Sequence, residues 1–302
     1  MNPNTESARP AEERIWRLAG GGRLRFGQTP RIMGILNVTP DSFSDGGRWF
    51  DRDAAIARGM EMAAQGAHII DVGGESTRPG SKRTNVEEEL DRTVSVIAAL
   101  AAAIDSPISI DTTRAAVARA ALDAGASIIN DISGFTFDPA MAPLAAESGA
   151  GLVVMHIRET PETMQQAPSY GDTFAEVSEE LNRRVAPLLD LGVNPASVVI
   201  DPGIGFGKRQ QDNLCLLARL EELGRDYPVL VGCSRKSFLG AIGGRHVDDR
   251  LPETIATTVW AAMARCSIVR VHDVDQNRRA LEVIDAIGRS KGPIEESDRR
   301  VR

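Results

Sequence analysis

One repeated pattern constrains the fold of this chain most. A short apolar stretch ends in a polar residue, and a stretch with helical periodicity follows it. The predicted strands lie at 32–38, 68–72, 108–110, 127–129, 152–155, 197–200, 229–231 and 268–271. Helical periodicity separates them, and hairpin signals are almost absent. Because strands joined through helices run parallel, these eight units predict an α/β protein with a single (β/α)8 TIM barrel.

An open, doubly wound sheet is the alternative for such an alternation. That fold carries a phosphate-binding fingerprint with the spacing G-x-G-x-x-G. The glycine-rich run at 203–207 reads GIGFG, which has the spacing G-x-G-x-G. The barrel is therefore favoured. Local signals add that Asn85 and Asp138 are N-caps of the helices that follow them.

The chain divides into three parts. Residues 1–30 have no clear periodicity, and we expect them to be a loosely attached N-terminal extension of unknown role. Residues 31–290 hold the barrel and are the predicted catalytic domain. Residues 291–302 are a polar C-terminal tail.

Composition excludes several classes of protein. The net charge is −7, from 35 basic and 42 acidic residues, so a general nucleic-acid surface is not expected. No apolar run approaches ~20 residues, so no membrane span is expected, and the first thirty residues do not resemble a signal peptide. The three cysteines are odd in number and widely spaced, which indicates a reducing, cytoplasmic location.

Polar residues follow several predicted strands, and in a barrel the carboxyl ends of all strands open on one face. Asp111, Asn130 and Asp201 would together form a row of hydrogen-bond acceptors there. Such a row suits a flat heterocycle with several N–H donors, such as a 2-amino-4-oxo pyrimidine ring. The alternatives are that each residue caps the next helix, or that the carboxylates perform acid–base chemistry or bind a metal.

A cationic cluster is predicted beside this row. The run Ser-Arg-Lys-Ser at 234–237 follows the seventh strand and opens a short predicted helix. Arg270 and His272 lie two residues apart at the end of the eighth strand, so their side chains project to the same side. Barrels often bind phosphate at this place, and we expect an anion site. An Arg-x-His pair alone would not indicate an anion site.

The loops 37–47 and 73–80 combine glycines with polar residues and are predicted to contact substrate or to cover the barrel mouth. His156 is interpreted as a satisfied histidine at a strand end, and Cys233 as a small apolar residue. We assign neither a function.

Six runs in this sequence closely resemble dihydropteroate synthases, in the order of that family. They are MGILNVTPDSFSDGG at 33–47, DVGGESTRPG at 71–80, INDI at 129–132, DPGIGFGK at 201–208, SRKS at 234–237 and RVHDV at 270–274. The resemblance spans about residues 31–290. It implies a barrel enzyme of folate synthesis that joins 4-aminobenzoate to 7,8-dihydropterin-6-ylmethyl diphosphate, by an SN1-like displacement of diphosphate.

The resemblance also implies roles for individual residues. The residues implied to hold the pterin are Asp111, Asn130, Asp201 and Lys236. Those implied to serve the diphosphate are Asn37, Arg78, Arg270 and His272, with Mg²⁺ at Asn37. Those implied to line the 4-aminobenzoate pocket are Thr77, Pro79, Phe206 and Ser237, and closure of the loop 37–47 would add Phe43. The expected catalytic set is Asp111, Asp201, Lys236, Arg270 and His272.

Members of this family are usually homodimers and are sulfonamide targets, and we expect both properties here. Two other functions remain open. A pterin-binding methyltransferase of the corrinoid-dependent type shares the acceptor row, but it has no diphosphate to release. A catalytically silent pterin-binding barrel would be expected to lack Lys236 or Arg270, and both are present.

Overall fold

The computed structural model describes residues 14–39, 52–76 and 83–290. Ten strands are present in this part of the chain: β1 (Ile15–Arg17), β2 (Arg23–Arg25), β3 (Arg31–Asn37), β4 (Ile69–Gly73), β5 (Ile108–Asp111), β6 (Ile128–Asp131), β7 (Gly151–Met155), β8 (Val198–Asp201), β9 (Leu230–Val231) and β10 (Ile268–Val271). The α-helices are α1 (Arg52–Ala64), α2 (Val86–Ala103), α3 (Ala115–Asp123), α4 (Met141–Ser148), α5 (Thr173–Asp190), α6 (Gln210–Ala218), α7 (Leu220–Leu223), α8 (Ser237–Gly243), α9 (Leu251–Met263) and α10 (Val274–Arg289).

Strands β3 to β10 form one parallel sheet that closes into a barrel. The order is β8-β7-β6-β5-β4-β3-β10-β9, and a parallel bridge between Ile200 and Val229 joins the two ends. The backbone N–H of Ile200 also donates to Pro228 O at 2.9 Å. The strands are short and almost wholly buried, as expected where helices cover a parallel sheet. The predicted (β/α)8 barrel is confirmed.

The two predicted N-caps had different outcomes. Asn85 accepts a hydrogen bond from Glu88 N at 2.8 Å and caps α2, as predicted. The prediction for Asp138 is wrong, because α4 begins at Met141 after Ala140. Asp138 instead accepts from Ala140 N at 2.9 Å and, across the structure, from Ala115 N at 2.8 Å, so it satisfies the first turn of the preceding helix.

The N-terminal segment is better attached than predicted. Strands β1 and β2 form an antiparallel hairpin, and the Trp16 side chain is fully buried. Trp16 and Phe26 pack with Met33, Ile69 and residues at the same level of the other strands. Trp16 Nε1 also donates to Ser197 O at 2.8 Å. Residues 14–30 therefore close the amino-terminal end of the barrel, and the expectation of loose attachment is wrong for them. Among the helices of the described residues, none is long and apolar enough to cross a membrane.

Candidate active site

The carboxyl ends of four neighbouring strands place polar residues in one row. Asn37 of β3 is in register with Gly73 of β4, Gly73 with Asp111 of β5, and Asp111 with Asn130 of β6. Gly73 has no side chain, and a Cβ there would be in ordinary van der Waals contact with Asp111 Cβ, at 3.4 Å. The structure therefore brings Asn37, Asp111 and Asn130 together at the barrel mouth.

Arg270 of β10 crosses this end of the barrel and joins two carboxylates. Its Nε donates to Asp71 Oδ2 at 2.6 Å, and its Nη2 donates to Asp111 Oδ2 at 2.7 Å. Asn130 Nδ2 donates to the same Asp71 oxygen at 3.1 Å. Asp71 is fully buried, and its Oδ1 has no hydrogen-bond partner among the residues that the structure describes. Asp71 thus fixes the orientation of both the Arg270 fork and the Asn130 amide.

Asp201 ends β8 and opens the glycine-rich loop 203–208. Its Oδ1 accepts from Gly203 N at 2.7 Å, which turns the chain sharply after the strand. Gly203 has φ +65°, and a Cβ there would lie 1.9 Å from His156 O. Only glycine allows this approach. The loop is therefore held directly against the end of β7.

Lys236 projects from the loop after β9 towards the glycine-rich loop. Its Nζ donates to Ile204 O and lies 4.5 Å from the centre of the Phe206 ring, in a cation–π contact. Lys236 is half-buried, and it interacts electrostatically with Asp201, Arg270 and Asp111. The predicted residues Asp201, Lys236 and Phe206 are thus brought together.

Burial perturbs the titratable groups of this site. It raises the pKa of Asp111 to about 7 despite the opposing effect of Arg270, and it raises the pKa of Asp201 despite Lys236. It lowers the pKa of Lys236 to about 8, although Asp201 opposes that shift. The charged forms are therefore costly in this structure, as is common where a site awaits an ionic or hydrogen-bonding ligand.

The predicted cationic cluster is only partly formed. His272 Nδ1 lies 2.9 Å from Ser234 Oγ, and Ser234 Oγ also accepts from His272 N at 3.2 Å. These contacts fix the imidazole beside the end of β10. Arg235, however, donates to both oxygens of Asp273, at 3.2 and 2.7 Å, so its charge is neutralised outside the cluster. Arg270, Lys236 and His272 remain as the basic residues of the predicted cluster.

The other predicted contact residues have mixed outcomes. Ser237 begins α8 and is exposed. Asn37 ends β3 and is half-buried. Phe43, Thr77, Arg78 and Pro79 lie outside the described residues. The roles assigned to individual residues remain predictions.

Two buried polar residues escaped the analysis of the sequence. Asp71 lies inside the apolar strand IIDVG, and Lys208 ends the glycine-rich loop with only 3% of its surface exposed. A charged residue inside an apolar strand was the available signal for Asp71. Neither contact of Asp71 is local, since Arg270 is 199 residues away and Asn130 is 59 residues away.

The described residues contain no cluster of three or more histidine, cysteine, aspartate or glutamate side chains that could hold a metal. Mg²⁺ does not need such a cage, because it commonly binds one or two protein oxygens together with substrate phosphates and water. The Asn37 amide oxygen at the barrel mouth fits that mode. It would hold the ion only together with a phosphate-bearing ligand.

Comparisons with known proteins find similarity over most of the chain. A family model described as "Pterin binding enzyme" matches residues 33–272. A dihydropteroate synthase of a Synechocystis species is 47% identical over 266 residues, which cover 87% of this chain and 92% of the relative.

Solved structures show the same similarity. A dihydropteroate synthase of Xanthomonas albilineans with 4-aminobenzoic acid has a TM-score of 0.85 and 40% identity, covering 91% of this chain and 98% of that chain. A dihydropteroate synthase of Yersinia pestis in complex with a sulfonamide drug has a TM-score of 0.84 and 40% identity, covering 90% of this chain and 98% of that chain.

Proposed function

Because this chain belongs to the dihydropteroate synthase family, we propose that it joins 4-aminobenzoate to 7,8-dihydropterin-6-ylmethyl diphosphate and releases 7,8-dihydropteroate and diphosphate. One observation carries the proposal. Hydrogen-bond acceptors and cationic side chains lie together at one end of the barrel. Asp111, Asn130 and Asp201 supply the acceptors, and Arg270 with Lys236 supplies the cations.

The pterin binds through the acceptors. Its ring carries several N–H donors on one edge, and a carboxylate accepts them with charge-assisted hydrogen bonds. Asn130 Nδ2 donates to Asp71, so the Asn130 oxygen is the group that faces a ligand. Ionised Asp111 and Asp201 favour positive charge on the bound ring. That charge develops when the bond to diphosphate breaks.

The diphosphate leaves towards the cations. The C–O bond breaks with both electrons going to oxygen, and the electron-rich dihydropterin delocalises the resulting cation. Arg270 and His272 stabilise the departing negative charge where it develops. The neutral amine of 4-aminobenzoate then forms the new C–N bond and loses a proton. No covalent intermediate with the protein is required.

Mg²⁺ is the proposed cofactor, and Asn37 is the described residue that would hold it. When bound, the ion neutralises diphosphate charge as a Lewis acid. We expect Asn37→Ala to raise the Mg²⁺ concentration needed for half-maximal activity. Titration of Mg²⁺ in the diphosphate-release assay measures this, and an unchanged requirement would remove Asn37 from the site.

The experiment that tests the function is a diphosphate-release assay with both substrates. Release should require 4-aminobenzoate and the pterin diphosphate together, and dihydropteroate should form in equal amount. Arg270→Met should abolish release, because it removes the fork that faces the leaving group. A corrinoid-dependent methyltransferase would release no diphosphate, and a silent barrel would bind pterin without turnover.

We also propose that the chain forms a homodimer through α9. Four exposed residues at helical spacing form an apolar stripe on this helix: Pro252, Ala256, Trp260 and Met263. The Met263 side chain is 69% exposed and that of Trp260 is 49% exposed. An apolar stripe of this kind is typical of a surface covered by a partner. Met263→Glu should convert the dimer to monomer in analytical ultracentrifugation, and Arg289→Glu is a control on the last turn of α10.

We propose that residues 31–290 are the catalytic domain, that residues 14–30 support it by closing the barrel, and that the protein acts in the cytoplasm. The cysteines Cys215, Cys233 and Cys266 are all free, as expected in a reducing compartment.

A further inference from the structure

Side chains hold four consecutive carbonyl groups of the glycine-rich loop 203–208. Lys236 donates to Ile204 O, and Gln165 Nε2 donates to Gly205 O at 2.8 Å. Lys208 Nζ donates to Phe206 O at 3.0 Å, and Tyr170 Oη donates to Gly207 O at 3.0 Å. The loop is therefore fixed residue by residue, and each bond can be removed separately by mutation.

Lys208 differs from the other three donors because it belongs to the loop and also contacts His156, at the end of β7. Its Nζ is 2.9 Å from His156 Nδ1 and 3.4 Å from His156 O, in addition to its bond to Phe206 O. All three contacts are short enough to be hydrogen bonds, and the residue is 3% exposed. No carboxylate among the described residues contacts the ammonium group directly.

Asp201 is the carboxylate that most favours the charged form of Lys208, without contacting it, and the Lys208 partner His156 is itself held by Glu180. His156 Nε2 lies 2.9 Å from Glu180 Oε2, and Arg158 Nε donates to Glu180 Oε1 at 3.0 Å. Burial lowers the pKa of His156 to about 4, so the ring is neutral at neutral pH. A neutral imidazole has one donor and one acceptor. Since Lys208 donates to Nδ1, Nε2 carries the proton and donates to Glu180.

Burial also lowers the pKa of Lys208 well below its usual value. The arrangement does not depend on the protonation state, because a neutral amine still has two N–H groups for Phe206 O and His156 Nδ1. What the arrangement fixes is the position of the Phe206 backbone. The Phe206 ring lies in a cation–π contact with Lys236.

We propose that Lys208 is a positioning residue for the second substrate, which it affects by holding Phe206 through the chain Lys208–His156–Glu180. This inference rests on the proposed function and on the expectation from the sequence that Phe206 borders the 4-aminobenzoate pocket. Lys208 touches neither substrate. Its loss should release the Phe206 carbonyl and let the ring leave Lys236, while the acceptors for the pterin at Asp111 and Asn130 stay in place.

Lys208→Met tests the proposal, because methionine keeps the buried aliphatic stem and removes the donors. The expected result is a rise of about tenfold or more in the KM for 4-aminobenzoate and in the inhibition constant of a competing sulfonamide. The KM for the pterin diphosphate should stay within about twofold of wild type. Tyr170→Phe is the matched control, since it removes one hydrogen bond to the next carbonyl, and it should change the constants for 4-aminobenzoate much less.

Each result decides the question. Unchanged constants for 4-aminobenzoate, or an equal loss for both substrates, would overturn the positioning role. If Lys208→Met does not fold, His156→Ala makes the same test, because it removes the acceptor for Lys208 and should reproduce part of the selective loss. His156→Gln keeps one acceptor and one donor and should lose less than His156→Ala. Failure of the proposed function is distinguishable, since wild-type protein would then release no diphosphate at all.

Discussion

Replacement of Asp201 by asparagine separates pterin binding from folding. In the structure, Asp201 Oδ1 accepts from Gly203 N at 2.7 Å. Asparagine can keep that bond with its own Oδ1, so the turn into the glycine-rich loop survives. The second oxygen becomes an NH₂ group, which presents donors where the pterin presents donors. The substitution therefore removes the ligand contact and retains the structural one.

The magnitude follows from the lost contact. A hydrogen bond to a charged group contributes about 1.5–3 kcal/mol, so pterin affinity should fall by about tenfold to about a hundredfold. The free energy of unfolding should not fall by more than about 1 kcal/mol. Burial already raises the pKa of Asp201, which means that the ionised group is costly in the free protein.

Asp131→Asn is the matched control. Asp131 also ends its strand, accepts from the backbone N–H two residues later, at 2.7 Å from Ser133 N, and has a pKa raised by burial, to about 6. It follows Asn130 and so points to the opposite face of the sheet. Calorimetric titration with a dihydropterin measures both variants, and denaturant unfolding measures their stability. Equal affinity in wild type and Asp201→Asn, or an equal loss in both variants, would refute the assignment of Asp201 to the pterin.

Three further predictions concern the same site. Pterin affinity should fall by about tenfold per pH unit below about pH 7, because the ionised form of Asp111 binds the pterin and burial raises the pKa of Asp111 to about 7. In the same calorimetric titration, Asp111→Asn should bind the pterin weakly and with a flatter pH profile. The shift is upward, so Asp111 also contributes stability at low pH that is lost as the pH rises through that value. A sulfonamide should compete with 4-aminobenzoate at Ser237 and Phe206, and inhibition that is independent of 4-aminobenzoate concentration would contradict the pocket. The loop 40–47 lies outside the described residues, but we keep the prediction that 4-aminobenzoate binds measurably only after the pterin diphosphate; equal calorimetric affinity for free and diphosphate-bound enzyme would indicate random order.

The barrel was predictable because its signals are local. Each strand of a parallel sheet is buried on both faces and is therefore a short continuous apolar run, and each following helix has its own periodicity. Once the barrel is assumed, the positions of Asp111, Asn130 and Asp201 follow, since strand ends converge. The hairpin at 15–25 was missed because strands of three residues are too short to show alternation.

Contacts between distant parts of the chain were not predictable in this way. Asp138 was expected to cap the helix after it, but its carboxylate serves Ala115 on the neighbouring unit. Lys208 was assigned no role, since its partner His156 lies 52 residues earlier and was also assigned no function. Periodicity reports which face of an element is buried. It does not report which polar group meets another across the barrel.

Arg270 shows why these distant contacts matter for catalysis. Its Nη2 donates to Asp111 Oδ2, and the proposed function assigns the Asp111 carboxylate to the pterin, so the two contacts compete. Asp71 removes the conflict, because it holds Arg270 through Nε and remains bonded when Asp111 is taken by the ligand. The released N–H groups are then free to bind diphosphate, for which the planar fork is well suited. A pterin without diphosphate would displace Arg270 from Asp111 and offer it no anion in return. The intact substrate should therefore bind more tightly than its two halves would suggest, and Asp71 is the residue on which that coupling depends.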